Sequence, residues 1–105
     1  MKIINLTPHA IPFMVNEGAP LVVEPSGIIA RVSVNTRRTG ELAGVPVIEN
    51  VYEVMGLPQP KEDTIYVVSS LVAQRCKNRD DVFIPNEPVR DKHGRIIGCR
   101  SLGRV

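Results

Sequence analysis

The stretch that most constrains this chain is residues 64–85, TIYVVSSLVAQRCKNRDDVFIP. Side chains of a strand alternate between its faces, so Ile65 and Val67 share one side and Tyr66 and Val68 the other. Both sides are apolar, which predicts a strand inside a sheet and covered on both faces. Ser69-Ser70 then leads into the one segment with a helical pattern, residues 71–77. Ser70 is suited to cap it, because its hydroxyl can accept from an early backbone N–H. Leu71, Val72 and Cys76 form the apolar side of that helix. Asn78 is placed to end it in the left-handed conformation, with Lys77 and Arg79 complementing the negative end of the dipole.

The remainder reads as strands and turns. Residues 2–6 form a short strand, and Pro8 forces a turn at Thr7-Pro8-His9. Residues 10–15 and 21–24 form a hairpin about Asn16-Glu17-Gly18. Pro12 predicts an edge position for its first strand, since proline cannot donate to a ladder. Residues 28–35 alternate cleanly, with Ile28, Ala30, Val32 and Val34 on one face. Residues 35–44 are polar, an exposed loop or an extended hairpin tip, and 45–54 read as two strand-like pieces around Glu49-Asn50. After the helix come a short strand ended by Pro85, a turn at Asn86-Glu87-Pro88, and a final hairpin about residues 91–94. The expected fold is one α+β domain over residues 1–105, β-dominated, mostly antiparallel and hairpin-connected, with one short helix.

Composition narrows the function classes. With 105 residues and a net charge of +2, the chain has neither the basic density nor the aromatic platform of a nucleic-acid binder; it has two Phe, two Tyr and no Trp. Cys76 and Cys99 lack both metal-site spacing and disulfide-scaffold density, and both are expected to be reduced. The N-terminus does not read as a signal peptide, and no apolar run approaches the ~20 residues of a membrane span. A protein of the host-cell cytoplasm is expected, with no cofactor, no metal, and no DNA, RNA or membrane partner.

Several residue groups could carry chemistry. The Ser69-Ser70 turn offers backbone N–H groups to an anion, although such serines more often only cap their helix. Thr7 and His9 flank a rigid proline turn; the commoner role for such a pair is to satisfy backbone groups around it. Arg79-Asp80-Asp81 could do acid–base work, but an Arg–Asp pair more often ties a loop down. Arg90 and Arg95 of the last hairpin and Arg31, Arg37 and Arg38 of the earlier one suit phosphate, whose oxygens a guanidinium can fork, if several converge near Ser69-Ser70. His93 falls in the last hairpin turn and is expected to be solvated.

The segments Asn5-Leu6-Thr7-Pro8-His9-Ala10-Ile11, Glu24-Pro25-Ser26-Gly27, Gly56-Leu57-Pro58, Tyr66-Val67-Val68-Ser69, Arg79-Asp80-Asp81-Val82 and Gly94-Arg95-Ile96-Ile97 together resemble a family of small, mostly uncharacterised phage and bacterial proteins recognisable by an N-terminal NLTPHAI. The resemblance spans nearly the whole chain. It implies a phage or prophage setting and brings no activity with it. In such a setting a small protein without a catalytic motif is expected to bind a host component or a defence signal. The leading expectation is a non-enzymatic sponge that sequesters an anionic nucleotide-derived signal, of the cyclic ADP-ribose or cyclic nucleotide class, through Thr7, His9, Arg31, Ser69, Ser70, Arg79, Arg90 and Arg95. A protein-interaction module, either a host-enzyme inhibitor or a virion component, is the alternative. A small hydrolase using His9 with Asp80 or Asp81 ranks last. A homo-oligomer is expected for either binding role.

Overall fold

A computed structural model describes residues 1–15 and 17–105. Its elements are β1 (Lys2–Asn5), β2 (Ile11–Phe13), β3 (Leu21–Val23), β4 (Arg31–Leu42), β5 (Val45–Met55), β6 (Thr64–Val67), α1 (Ser70–Gln74), β7 (Val82–Arg90) and β8 (Ile96–Gly103). The fold is β-dominated with one short helix. Six strands form a sheet in the order β1-β6-β7-β8-β2-β3, and β4 pairs only with β5.

The sheet is mixed. β1–β6, β6–β7 and β2–β8 run parallel, whereas β2–β3, β7–β8 and β4–β5 run antiparallel. The mostly antiparallel expectation is thus met only in part, by the β2–β3, β4–β5 and β7–β8 pairs. The last hairpin formed about its predicted turn, whereas the break expected at Glu49-Asn50 lies inside β5 and the ribbon turns at Ala43-Gly44; strand periodicity carries no information about which distant strand becomes a neighbour.

The sheet curls until its two edges meet. Asn5 forms a parallel bridge to Pro25, just beyond β3, and the Ser26 N–H donates to the Asn5 carbonyl at 2.9 Å. One face of the curled sheet holds Ile11, Phe13, Val67 and Cys99 together with Ile3, Val23 and Leu102. The other holds Leu6, Tyr66, Val68, Val72 and Cys76, covered by α1 and by Val32 and Val54 at the base of β4–β5. Adjacent residues at the end of β6 thus enter different cores: Val67 points inward, while Tyr66 and, just past the strand, Val68 point outward. All three are fully buried, as the two-faced apolar pattern predicted.

The seam is built by Asn5. Its Nδ2 donates to the carbonyls of His9 (2.7 Å) and Val23 (3.1 Å). Its Oδ1 accepts from the backbone N–H and the hydroxyl of Thr7, at 2.9 and 2.7 Å. A buried amide can make four such bonds, and this one makes all of them.

Four local expectations are corrected. The helix cap is Ser69, not Ser70, with the Val72 N–H reaching the Ser69 hydroxyl at 3.5 Å. The helix stops at Gln74, with Arg75 as C-cap, well before Asn78, which keeps a negative φ. Pro12 is not on an edge: β2 lies between β8 and β3, and it joins β8 only through Phe13↔Cys99, so no ladder bond is required of the proline nitrogen on that side. Pro85 does not end a strand, because β7 runs on through Pro88 to Arg90, accommodating Glu87 at φ 55°. The turn residue Asn16 lies outside the described residues.

Residues 31–55 form one long ribbon. The polar segment expected as a loop or extended tip belongs to β4, and the two expected pieces after it are the single strand β5. Ala43 (φ 51°) and Gly44 (φ 81°) close the ribbon as a two-residue turn with both φ positive, the geometry that matches strand twist. At ~3.3 Å per residue its twelve-residue strand extends about 40 Å. The radius of gyration is 17.5 Å, against about 13 Å for a compact chain of this length. The ribbon is therefore an arm that stands away from the body.

Candidate functional site: one mouth of the curled sheet

Residues 9–12, leading into β2, and the β7–β8 hairpin leave a concave mouth of about 690 Å³ on the sheet. Its lining includes His9, Pro12, Pro85, Pro88, Ile96 and Ile97. The three prolines that sequence reasoning treats as strand punctuation thus help to form an apolar wall. Each keeps its place in a strand while presenting its ring to the hollow, and no periodic signal marks that role.

Two basic groups border this wall. His9 stands on the turn that Asn5 and Thr7 hold, with the Thr7 hydroxyl also within 3.1 Å of the His9 carbonyl. The imidazole itself is exposed. Arg90 is the ladder partner of Ile96, which lines the mouth, and its Nη1 donates to the Gly94 carbonyl at 2.7 Å. The turn beyond is pinned by Asp91, whose Oδ1 accepts from the backbone N–H groups of His93 (2.8 Å) and Arg95 (3.0 Å). Arg95 follows next in the chain, exposed and 3.9 Å from the Asp91 carboxylate. Lys92, His93 and Arg95 make this hairpin end basic and solvated.

The other candidate residues go elsewhere. Thr7 is consumed by the Asn5 network. The Ser69 hydroxyl caps a helix of only five residues, and Ser70 is that helix's exposed first residue. Arg31 is exposed at the base of the arm, paired across the ladder with Met55. Arg79 is a structural clamp. Its Nε and Nη2 fork the two Asp81 oxygens at 2.8 and 2.9 Å, and Nη2 also donates to the Pro58 carbonyl at 3.0 Å. This ties the loop after β5 to the start of β7. The hydrogen bonds from Arg79 hold the Asp81 carboxyl below the usual carboxylate range, and Asp81 in turn raises Arg79. Of the eight residues, then, His9 alone lines the mouth, on the turn that Thr7 helps to hold, while Arg90 and Arg95 lie on the hairpin whose Ile96 and Ile97 line it.

Neither acid stands by His9. Asp81 immediately precedes Val82, at the opposite end of β7 from the Arg90 hairpin, and is engaged by Arg79. Cys99 lies under the mouth and Cys76 under α1, both buried free thiols whose ionisation desolvation pushes up. Among the described residues no group of three His, Cys, Asp or Glu side chains could hold a metal ion, and no helix is long and apolar enough to cross a membrane. Compared with protein-family models, curated proteins and solved structures, the chain matches none.

Proposed function

We propose that this protein works by binding and not by catalysis, and that the mouth captures a small anionic nucleotide-derived ligand of the cyclic ADP-ribose or cyclic nucleotide class. The observation that supports the reading is the pairing of a concave apolar wall with an imidazole on one rim and a guanidinium-bearing hairpin on the other. A base and ribose present flat, weakly polar faces suited to Pro85, Pro88 and Ile97. A phosphate is suited to Arg90 and Arg95, whose present partners are one carbonyl and one loosely held carboxylate. Exposed pairs of that kind contribute little and exchange readily for a stronger anion.

The test is a thermal-shift and calorimetric screen against mononucleotides, cyclic nucleotides and cyclic ADP-ribose isomers, with the ligand recovered and checked by mass. Binding of one class, recovery of the ligand intact, and a loss of about 10–100-fold in affinity on Arg90→Ala are expected, the scale of one charge-assisted hydrogen bond. Turnover of the ligand would refute the non-enzymatic reading. Absence of binding across the panel would refute the ligand class and leave the second reading.

That second reading is a protein-interaction module, a virion component or an inhibitor of a host enzyme. The projecting arm favours it, since it carries apolar side chains that none of the described residues cover.

A further inference from the structure

Basic residues crowd into the last third of the chain. Residues 75–105 hold eight of the thirteen Lys and Arg but only four of the eleven Asp and Glu. Folding brings three of these cations to one small hollow, where the turn after α1 meets the segment beyond β8. Lys77, Arg79 and Arg104 line it, together with Cys76 and Val82. Its volume is about 50 Å³, and its wall is mostly polar, whereas that of the mouth is mostly apolar.

Each cation is held there by its own local structure. The fork of Arg79 on Asp81 and its bond to the Pro58 carbonyl use Nε and Nη2 and leave Nη1 without a partner among the described residues. The ladder pair Ile84↔Gly103 sets Arg104 beside Phe83, and its guanidinium stacks 4.5 Å over that ring. Stacking occupies a face of the guanidinium plane and leaves the N–H edge free to donate. Lys77 sits in a tight turn closed by the Arg79 N–H, which donates to the Cys76 carbonyl at 2.9 Å. Charge is unbalanced at this point. Asp81 answers Arg79, but among the described residues no carboxylate pairs with Lys77 or Arg104. Asp80 is exposed and lines none of the hollow. Three cations around one hollow repel one another, a cost that a bound anion removes.

We propose that this hollow binds a single free tetrahedral oxyanion, inorganic phosphate, between the Arg79 and Arg104 guanidiniums and the Lys77 ammonium. Size sets the class of ligand, because the hollow is far below the ~300–1,000 Å³ of a site for an organic molecule. Chemistry sets the ion. A tetrahedral oxyanion offers acceptors in several directions at once, which suits two guanidiniums and a point charge arriving from different segments. The site is independent of the mouth and of the ligand proposed there: Val82 begins β7, whereas Arg90 ends it. A bound ion ties the segment beyond β8 to the turn after α1, so it stabilises the fold as it binds.

The test is calorimetric titration of inorganic phosphate into the protein at neutral pH, with ionic strength held constant by chloride. It is run on wild type, on Lys77→Gln and Arg104→Gln at the hollow, and on Arg38→Gln, which loses the same charge on the arm. Wild type is expected to bind with a Kd of about 1 mM or tighter, and saturating phosphate should raise its Tm by several degrees where matched chloride does not. Lys77→Gln and Arg104→Gln should each weaken binding about 10-fold or more, the scale of one charge-assisted hydrogen bond. Arg38→Gln should bind as wild type does. Absence of saturable binding overturns the proposal, and so does an affinity that Arg38→Gln lowers as much as the hollow variants do. Binding that survives both hollow variants and is lost on Arg90→Ala moves phosphate to the mouth and overturns this site alone.

Discussion

Replacing Asn5 by alanine removes all four hydrogen bonds at the seam where the sheet closes. A net bond is worth about 0.5–1.5 kcal/mol, giving a span of ~2–6 kcal/mol. The Thr7 hydroxyl and the His9 carbonyl lie near enough to the surface to recover water, which places the expected loss near 3 kcal/mol. A domain of this size holds only about 5–15 kcal/mol, and such a loss lowers Tm by roughly 15 °C. Asn5→Asp separates hydrogen bonding from shape. The carboxylate still accepts from Thr7 but cannot donate, so the carbonyls of His9 and Val23 face a negative charge. Burial and those carbonyls raise the folded-state pKa of the new carboxyl above its unfolded value of about 3.9. A group raised on folding is least favourable above its folded pKa, and the fold regains stability as pH falls through it. The gap between Asn5→Asp and wild type should therefore narrow from neutral pH toward about pH 4. Urea titration followed by far-ultraviolet dichroism is the assay, since the chain has no Trp. An Asn5→Ala cost below ~1 kcal/mol, or a gap that widens in acid, would refute the view of Asn5 as the closing staple.

Three further outcomes are expected. Asp81→Asn should cost about 1–3 kcal/mol at neutral pH, read from the urea midpoint. Asp81 is depressed on folding, so its stabilisation is present above an unfolded value of ~3.9 and lost as pH falls through the folded pKa; variant and wild type should converge in stronger acid. Gly56→Ala should destabilise by ~2 kcal/mol or more, because Gly56 has φ +82° and a Cβ there would collide with the Ile29 carbonyl oxygen. Cys76 and Cys99 should react slowly with a thiol reagent at neutral pH in the native protein and quickly in denaturant; fast native labelling of either would contradict its burial and raised pKa.

Residues whose partners are near in sequence were legible. β2 pairs with β3 as expected, the β7–β8 hairpin formed about its predicted turn, and a serine beside the predicted one caps the helix. Arg79 and Asp81 tie a loop down as their type suggests. The arm was only half legible. Its first residues alternate cleanly, but Asn35, Thr36, Arg37 and Arg38 carry no apolar period, and only pairing with β5 extends them as strand. Of the site, the turn at His9 and the hairpin at Arg90 could be named. Their approach to one mouth could not, because it depends on β2 lying parallel to β8 through Phe13↔Cys99.

By itself the sequence determined a β-rich fold, a segment buried on both faces at Tyr66, Val67 and Val68, and the turn of the last hairpin. These follow from side-chain alternation and from the φ preferences of Pro and Gly, both local properties. Only the tertiary structure decided that the sheet is mixed, that Asn5 closes it, that Pro85 and Pro88 line a mouth instead of ending a strand, and that residues 31–55 leave the body as an arm. Those outcomes rest on hydrogen bonds and burial between segments far apart in the chain. A backbone N–H or an apolar side chain specifies that it needs a partner without specifying which.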